Sequence, residues 1–183
     1  MPTPERARWA VERLHVRSGD HVLEIGCGHG HAAALVGELV GDSGSLTAVD
    51  RSPMMTDMAK AQLRPYLDSG RVTLTCGLVE ECDVPEGFFD VVFGFSVAPM
   101  WRSPTVTAAI WRSLKPGGSF HLFDQPPGWQ HAADVDAYAA PILAALQGYG
   151  FEVSTPVSAQ LSKGWAVHLR ATRPMADDHR VSA

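Results

Sequence analysis

Three glycines at alternate positions, Gly26, Gly28 and Gly30, interrupt the stretch HVLEIGCGHGHAA, residues 21–33, where an apolar run meets an alanine-rich one. Glycine at such places permits a tight turn and lets ligand atoms touch the main chain, because no Cβ stands in the way. Two carboxylates flank the loop. Glu24 stands just before it, and Asp50 closes the next apolar run, LTAV, about 20 residues further on. A carboxylate in the Asp50 position can accept hydrogen bonds from both hydroxyls of a ribose. Open N–H groups at the start of the following helix, around His29 to Ala32, favour a negative ligand group. Cys27 is a small residue that a crowded loop tolerates, although its place near a helix N-terminus could lower a thiol pKa. This set suits binding of an adenosine-type ligand. The simpler alternative is that the glycines serve only a turn.

The elements that must position these residues follow from periodicity and punctuation. Thr3 and Pro4 read as a cap and a first-turn proline, and Ala7, Ala10, Val11 and Leu14 share one face of a short helix. HVLEI is a buried strand, and residues 29–40 form a helix. LTAV is a second strand, SPMMTDMAKAQLRPY a helix opened by Ser52 and Pro53, RVTLT a third strand and FDVVFGF a fourth. A helix over 104–114 stops at KPGG, SFHLF is a fifth strand, and a helix from Ala133 to Gly148 is expected to bend at Pro141. GFEVST and GWAVHLRAT close the fold as two strands joined by a short turn. Strands alternating with helices imply right-handed crossovers and a parallel sheet covered on both faces. The last strand, too close to its predecessor for a helical crossover, should run antiparallel. The expected architecture is therefore α/β, Rossmann-like and doubly wound, with seven strands. Residues 1–18 would form an N-terminal helical segment, 19–173 a single domain and 174–183 a flexible tail.

Composition narrows the function classes. The chain has 183 residues, 45% apolar and 19% charged, with a formal net charge of -5, so a nucleic acid receives no general attraction. Cys27, Cys76 and Cys82 show neither paired metal-ligand spacing nor a disulfide framework, which suggests a reducing cytoplasm and no metal site. The sequence shows no signal-peptide core and no apolar run of the roughly 18 residues a membrane span needs.

The nicotinamide fingerprint is G-x-G-x-x-G; here the spacing is G-x-G-x-G, with Glu24 two residues before the first glycine. From VLEIGCGHG through AVDRSPMM, VPEGFFDVV and RSLKPGGSF to the closing hairpin, nearly the whole chain resembles the class I S-adenosylmethionine-dependent methyltransferases of small-molecule type. The resemblance implies that Glu24 and the loop Gly26, Cys27, Gly28 and Gly30 hold the methionine end of S-adenosylmethionine. Asp50 would hold the ribose, and Arg51 and Met55 would flank the adenine. The family often has GDA after the third strand, whereas this chain reads GLV, so Leu78 and Val79 would meet adenine through main chain and apolar packing. Phe95 would lie beside the sulfonium.

Methyl transfer is an in-line displacement, and a base is needed only where the acceptor must lose a proton. SVAPMWRSP after the fourth strand offers no histidine or carboxylate, and the NPPY motif of base-nitrogen methylation is absent. Base candidates are Asp124 and His131, on or after the fifth strand, and His29 or His31 beside the loop; none is singled out. Asp124 could equally cap the turn DQPPG. Trp101 and Trp129 follow the fourth and fifth strands, where they could wall an acceptor or pack beneath a loop. Met54, Met55 and Met58, at helical spacing, read mainly as core. With so short a chain, exclusion of water falls to the first helix, a second subunit in a homodimer, or the acceptor itself. Two other readings stay open: a non-catalytic S-adenosylmethionine-binding module of the same fold, and an NAD-dependent oxidoreductase.

Overall fold

The computed structural model describes residues 3–126, 128–129 and 133–175. Eight strands form one sheet: β1 His21–Ile25, β2 Ser45–Asp50, β3 Val72–Cys76, β4 Phe89–Phe95, β5 Leu114–Asp124, β6 Glu152–Val153, β7 Val157–Leu161 and β8 Gly164–Thr172. The helices are α1 Glu5–Leu14, α2 His31–Leu39, α3 Pro53–Asp68, α4 Pro99–Arg102, α5 Pro104–Ser113 and α6 Ala133–Gly148, with a 3-10 turn at Val79–Glu81. Strand order is β3-β2-β1-β4-β5-β8-β6, and β7 pairs with β8 off this path. β1 to β5 are mutually parallel, and β8 runs antiparallel to β5, β6 and β7. The mostly parallel sheet and its antiparallel last strand match the expectation, and β7 is an eighth strand beyond the seven expected.

β7 lies in the segment read as a short turn. Its sequence VSAQL is only partly buried, and it pairs with Gly164 to His168 on the first half of β8, while β6 takes Ala171 and Thr172. A half-exposed edge strand carries little apolar alternation, so its pairing shows only in three dimensions. β5 also begins earlier than expected. It starts at Leu114 and runs through KPGG, with a register shift between Phe89 and Val91 and Gly117 at φ 80°. A glycine in the left-handed region lets the bulge turn without a Cβ clash.

Two apolar layers cover the sheet. On one face α5 and α6 bring Ile110, Ile142 and Leu146 against Phe120 and Leu169; on the other α1, α2 and α3 bring Trp9, Val36 and Leu63 against Leu46, Phe93 and Phe123. α1 buries Ala7, Ala10, Val11 and Leu14 as read, together with Trp9. Thr3 does not cap it. Pro4 holds the cap position, and its carbonyl accepts the N–H groups of Ala7 and Arg8. α3 opens as expected, with Ser52 Oγ accepting the Met55 N–H at 3.4 Å and Pro53 in its first turn. Its buried stripe, however, is Thr56, Ala59 and Leu63; Met54 and Met58 are 62% and 41% exposed, so they are not core. α6 continues unbroken through Pro141. Beneath α1, His121 Nδ1 and His168 Nε2 lie 2.9 Å apart, and burial keeps both imidazoles neutral by lowering their pKa. Of residues 174–183, expected as a flexible tail, 176–183 lie outside the described residues.

Candidate functional site

The parallel strands end along one edge at Ile25, Asp50, Cys76, Phe95 and Asp124, where open α/β sheets receive ligands. The glycine loop leaves β1 there under tight restraint. The N–H groups of Gly26 and Cys27 donate to the Val49 carbonyl at 2.8 and 3.2 Å, and the Gly30 N–H donates to Cys27 at 2.9 Å. Asp50 completes the restraint: its Oδ2 accepts the Gly28 N–H at 2.8 Å and its Oδ1 the Ser52 N–H at 2.9 Å. A carboxylate read only as a ligand contact therefore also fixes the loop.

Gly26 and Gly28 are required for different reasons. At Gly26, φ is 78° and a Cβ would come within 2.5 Å of Val97 Cγ2. At Gly28, φ is 53° and nothing lies within 4 Å of the Cβ position, so the main chain is bare toward open space. Two cavities fill that edge. The larger, about 620 Å³, is lined by Asp50, Arg51, Leu78, Val79 and Glu80, among others. The smaller, about 210 Å³, is lined by Glu24, Cys27, Gly28, His29 and His31, and by Arg6 from α1. Both reach Gly26, Phe95 and Ser96. The larger falls within the range of about 300–1,000 Å³ common for small-molecule sites.

Nine of the eleven expected binding positions thus converge. Gly30 and Met55 line neither cavity. A Cβ on Gly30 would press on Ala59 and Leu63 at 3.2 and 3.3 Å, so that glycine serves the α2–α3 contact. Met55 is half-buried in the first turn of α3.

The electrostatics of the loop are unusual. Glu24 is 3% exposed, and its Oε2 has no hydrogen-bond partner. Burial, and then the neighbouring Asp50 charge, push its pKa up to about 8, so the carboxyl is mostly protonated at neutral pH. Burial, reinforced by Glu24 and Asp50, also pushes the Cys27 thiol up, which removes the reading of a helix-activated thiolate. His31 Nδ1 is buried without a partner, and burial followed by His29 lowers its pKa. α2 begins at His31 with no side-chain cap.

Asp124 is in a different condition. Its Oδ1 accepts the Ser96 hydroxyl at 2.7 Å and the Gln125 N–H at 2.8 Å, while Oδ2 accepts the Tyr138 hydroxyl. Burial and then this hydrogen bond push the Tyr138 phenol up. Ser96 adopts φ 57°, rare for a residue with a Cβ, and Asp124 pins it there. Asp124 is thus engaged as an anchor. His29 is exposed at the mouth of the smaller cavity, and His131 lies outside the described residues.

Trp101 and Trp129 pack around Tyr138. Trp129 meets its ring edge-on at 4.9 Å, and Trp101 lines a void of about 10 Å³ with Asp124 and Tyr138. That space suits about one water molecule, not an aromatic acceptor. Arg6, Glu80, Ser96 and Tyr138 were not expected at the site. Arg6 and Tyr138 arrive through tertiary packing, Ser96 through a backbone angle that serine does not advertise, and Glu80 through the 3-10 turn. Among the described residues no three His, Cys, Asp or Glu side chains gather as a metal site, and no helix is long and apolar enough to cross a membrane.

Comparison with known proteins shows the family and the fold. A family model described as a methyltransferase domain matches residues 22–118. Demethylmenaquinone methyltransferase of Symbiobacterium thermophilum is 33% identical over 113 residues, 60% of this chain and 44% of that protein. Protein-L-isoaspartate O-methyltransferase of Ignicoccus hospitalis is 30% identical over 131 residues, 71% of this chain and 59% of that protein. The chain thus spans about half the length of these curated relatives. Among solved structures, an S-adenosylmethionine-dependent methyltransferase from Aquifex aeolicus shares the fold with a TM-score of 0.73 at 16% identity, over 91% of this chain and 89% of that one.

Proposed function

The chain belongs to the methyltransferase domain family, and on that footing we propose that it transfers a methyl group from S-adenosylmethionine to a small-molecule acceptor. One observation carries the proposal: a buried carboxyl without a partner, Glu24, lines one cavity together with the bare main chain of Gly28, and a second cavity that shares Gly26, Phe95 and Ser96 with it is lined by Asp50. Those features fit an amino-acid tail with a positive amine at one end and a ribose at the other.

S-adenosylmethionine would supply an activated methyl group. Glu24 would take the amine, ionising as it does so, and the uncapped start of α2 would face the carboxylate. Asp50 would accept the ribose hydroxyls with the lone pairs left free by Gly28 and Ser52, and Arg51, Leu78, Val79 and Glu80 would surround the adenine. Phe95, with the Arg6 guanidinium 5.2 Å from its ring centroid, would fix the approach line and keep water out. For an acceptor that must lose a proton, His31 is better disposed than Asp124. It lines the smaller cavity, and its buried Nδ1 is unpaired and kept neutral.

In this reading residues 19–173 are the catalytic domain and the N-terminal segment carries α1 over its mouth. Three unbonded thiols suit a reducing cytoplasm. The net charge of -5 disfavours nucleic acid, and a homodimer would add the water exclusion that a short chain lacks. A small acceptor is supported by the menaquinone-pathway relative; the isoaspartate relative is named for a protein substrate.

Titration calorimetry with S-adenosylhomocysteine and with NAD tests the proposal, followed by turnover of labelled methyl on a panel of small acceptors. Binding of S-adenosylhomocysteine alone, with methyl appearing on a small acceptor, is expected. Absence of binding removes the donor site, and binding without turnover on any acceptor leaves a non-catalytic module.

A further inference from the structure

Resting on the methyltransferase reading, we infer that the acceptor carries a carboxylate or phosphate, and that Arg6 and Lys163 hold this group beside the donor cavity. A third cavity, about 320 Å³, lies between the start of α1 and the β7–β8 turn. Its lining includes Arg6, Gln125, Leu161 and Lys163, and it shares Pro4 and Arg6 with the smaller loop cavity. The two spaces are therefore neighbours, and Arg6 stands at their common wall.

The turn that presents Lys163 is held from both sides. Ser162 N–H donates to Glu5 Oε2 at 2.8 Å, and Gln125 Nε2 donates to the Gly164 carbonyl at 3.0 Å. The β7 strand, only partly buried itself, thus has a purpose in setting this turn over the cavity. The charges there do not cancel. Glu5, the carboxylate of the lining, is already satisfied by Ser162 and lies near Arg8. Neither Arg6 nor Lys163 has an acidic partner within salt-bridge distance among the described residues. Two cations against the single Glu5 carboxylate, beside Leu161 and Pro4 on a chain of net charge -5, leave a local excess of positive charge with an apolar wall.

A guanidinium offers a planar fork to a carboxylate or phosphate, and a lysine adds a point charge. An acceptor anchored by its anion at Lys163 and Arg6 would extend across Arg6 toward Phe95, over whose ring that guanidinium stands. Anchoring a remote group is how an enzyme orients a small acceptor for in-line attack.

The test is an amide NMR titration of the full chain with inorganic phosphate and, separately, with succinate, at fixed ionic strength. Saturable shifts at Arg6, Gln125, Ser162 and Lys163 are expected with at least one of the two probes, and whichever binds more tightly names the group. Replacing attraction by repulsion in Lys163→Glu should weaken the titration about tenfold, whereas Lys163→Arg should stay within about twofold of the parent. Arg64→Glu, the same charge change on the exposed face of α3, should leave it unaltered. Shifts spread over all exposed basic residues, equal titration of parent and Lys163→Glu, or no shift with either probe would overturn the inference. So would Arg6→Gln that weakens S-adenosylhomocysteine while leaving the anion titration intact. S-adenosylhomocysteine titrated into the same samples separates the two readings: its failure to bind removes the methyltransferase reading, while the anion titration still reports on this cavity.

Discussion

Glu24 and Asp124 are both carboxyl groups near the ligand edge of the sheet, yet their surroundings are opposite. Glu24 is buried, short of a hydrogen-bond partner and held protonated. Asp124 accepts from Ser96, Gln125 and Tyr138 and has little capacity left. A buried polar atom without a partner is costly, and folded proteins keep few of them. Its presence beside a bare glycine backbone is what supports placing the proposed donor site in that half of the edge. The satisfied carboxylate marks the half that builds walls. Type and strand-end position alone make the two look alike; the hydrogen-bond inventory separates them.

The largest expected effect on binding tests the donor half at Asp50, which both fixes the loop and faces the larger cavity. Hydrogen bonds to a charged group are worth about 1.5–3 kcal/mol, so Asp50→Ala should weaken S-adenosylhomocysteine about 100-fold by calorimetry. Parent-like affinity would remove the ribose assignment. Glu24 comes next and gives two effects of opposite sign. The unfolded chain ionises Glu24 near pH 4.3, whereas the folded chain holds the proton up to about 8. Between those values the folded state binds more protons, so stability falls as pH rises through that window. Glu24→Gln should therefore stabilise the ligand-free protein at pH 8 by on the order of 4 kcal/mol in urea unfolding, and differ little from the parent at pH 4. The same variant should bind S-adenosylhomocysteine about tenfold more weakly. If it binds equally well, or is less stable at pH 8, Glu24 is not waiting for an amine.

The two halves also differ in how far they can be read from the chain. HVLEIGCGHG and LTAVD carry their meaning locally: strand, turn, helix start and a carboxylate at a fixed distance, all within the parallel core. That is why nine of the eleven expected binding positions line the cavities and why the parallel core and its antiparallel last strand were foreseeable. Gly30 lies away from both cavities for a packing reason, since α3 approaches the loop closely there. Met54 and Met58 fail because three methionines at helical spacing do not say which face of α3 is covered. The wall half is assembled from distant segments. Tyr138 reaches Asp124 from α6, Glu5 and Arg6 come from α1, and β7 is paired only through β8. No short window contains those contacts.

A smaller effect probes the wall itself. Tyr138→Phe removes the hydroxyl from Asp124 and should cost about 1 kcal/mol of stability in urea unfolding. As a wall, Asp124 should tolerate exchange for Asn with turnover changed by only a few-fold and the shape of its pH profile intact. A proton acceptor at that place would lose its acidic limb and about 100-fold or more in rate, the scale of general base catalysis.

The smallest effect concerns the donor half again, at the point where it departs from the family pattern. Leu78 lines the larger cavity and is 38% exposed, a poor place for a large aliphatic side chain unless something covers it. Its main chain is committed: the Leu78 carbonyl accepts the N–H groups of Glu81 and Cys82 and starts the 3-10 turn. A side-chain change there should leave the turn intact. Leu78→Asp would offer an acceptor to an adenine amino group, at the expense of apolar cover and with Glu80 nearby as a like charge. These terms nearly offset, so S-adenosylhomocysteine should tighten by about threefold at most, the scale of one solvent-exposed hydrogen bond. The sharper readout is selectivity. The variant should gain in its preference for S-adenosylhomocysteine over S-inosylhomocysteine, whose base carries an oxygen in place of the amino group. Loss of affinity by tenfold or more, with no change in that preference, would place the adenine elsewhere in the cavity and make Leu78 a wall after all.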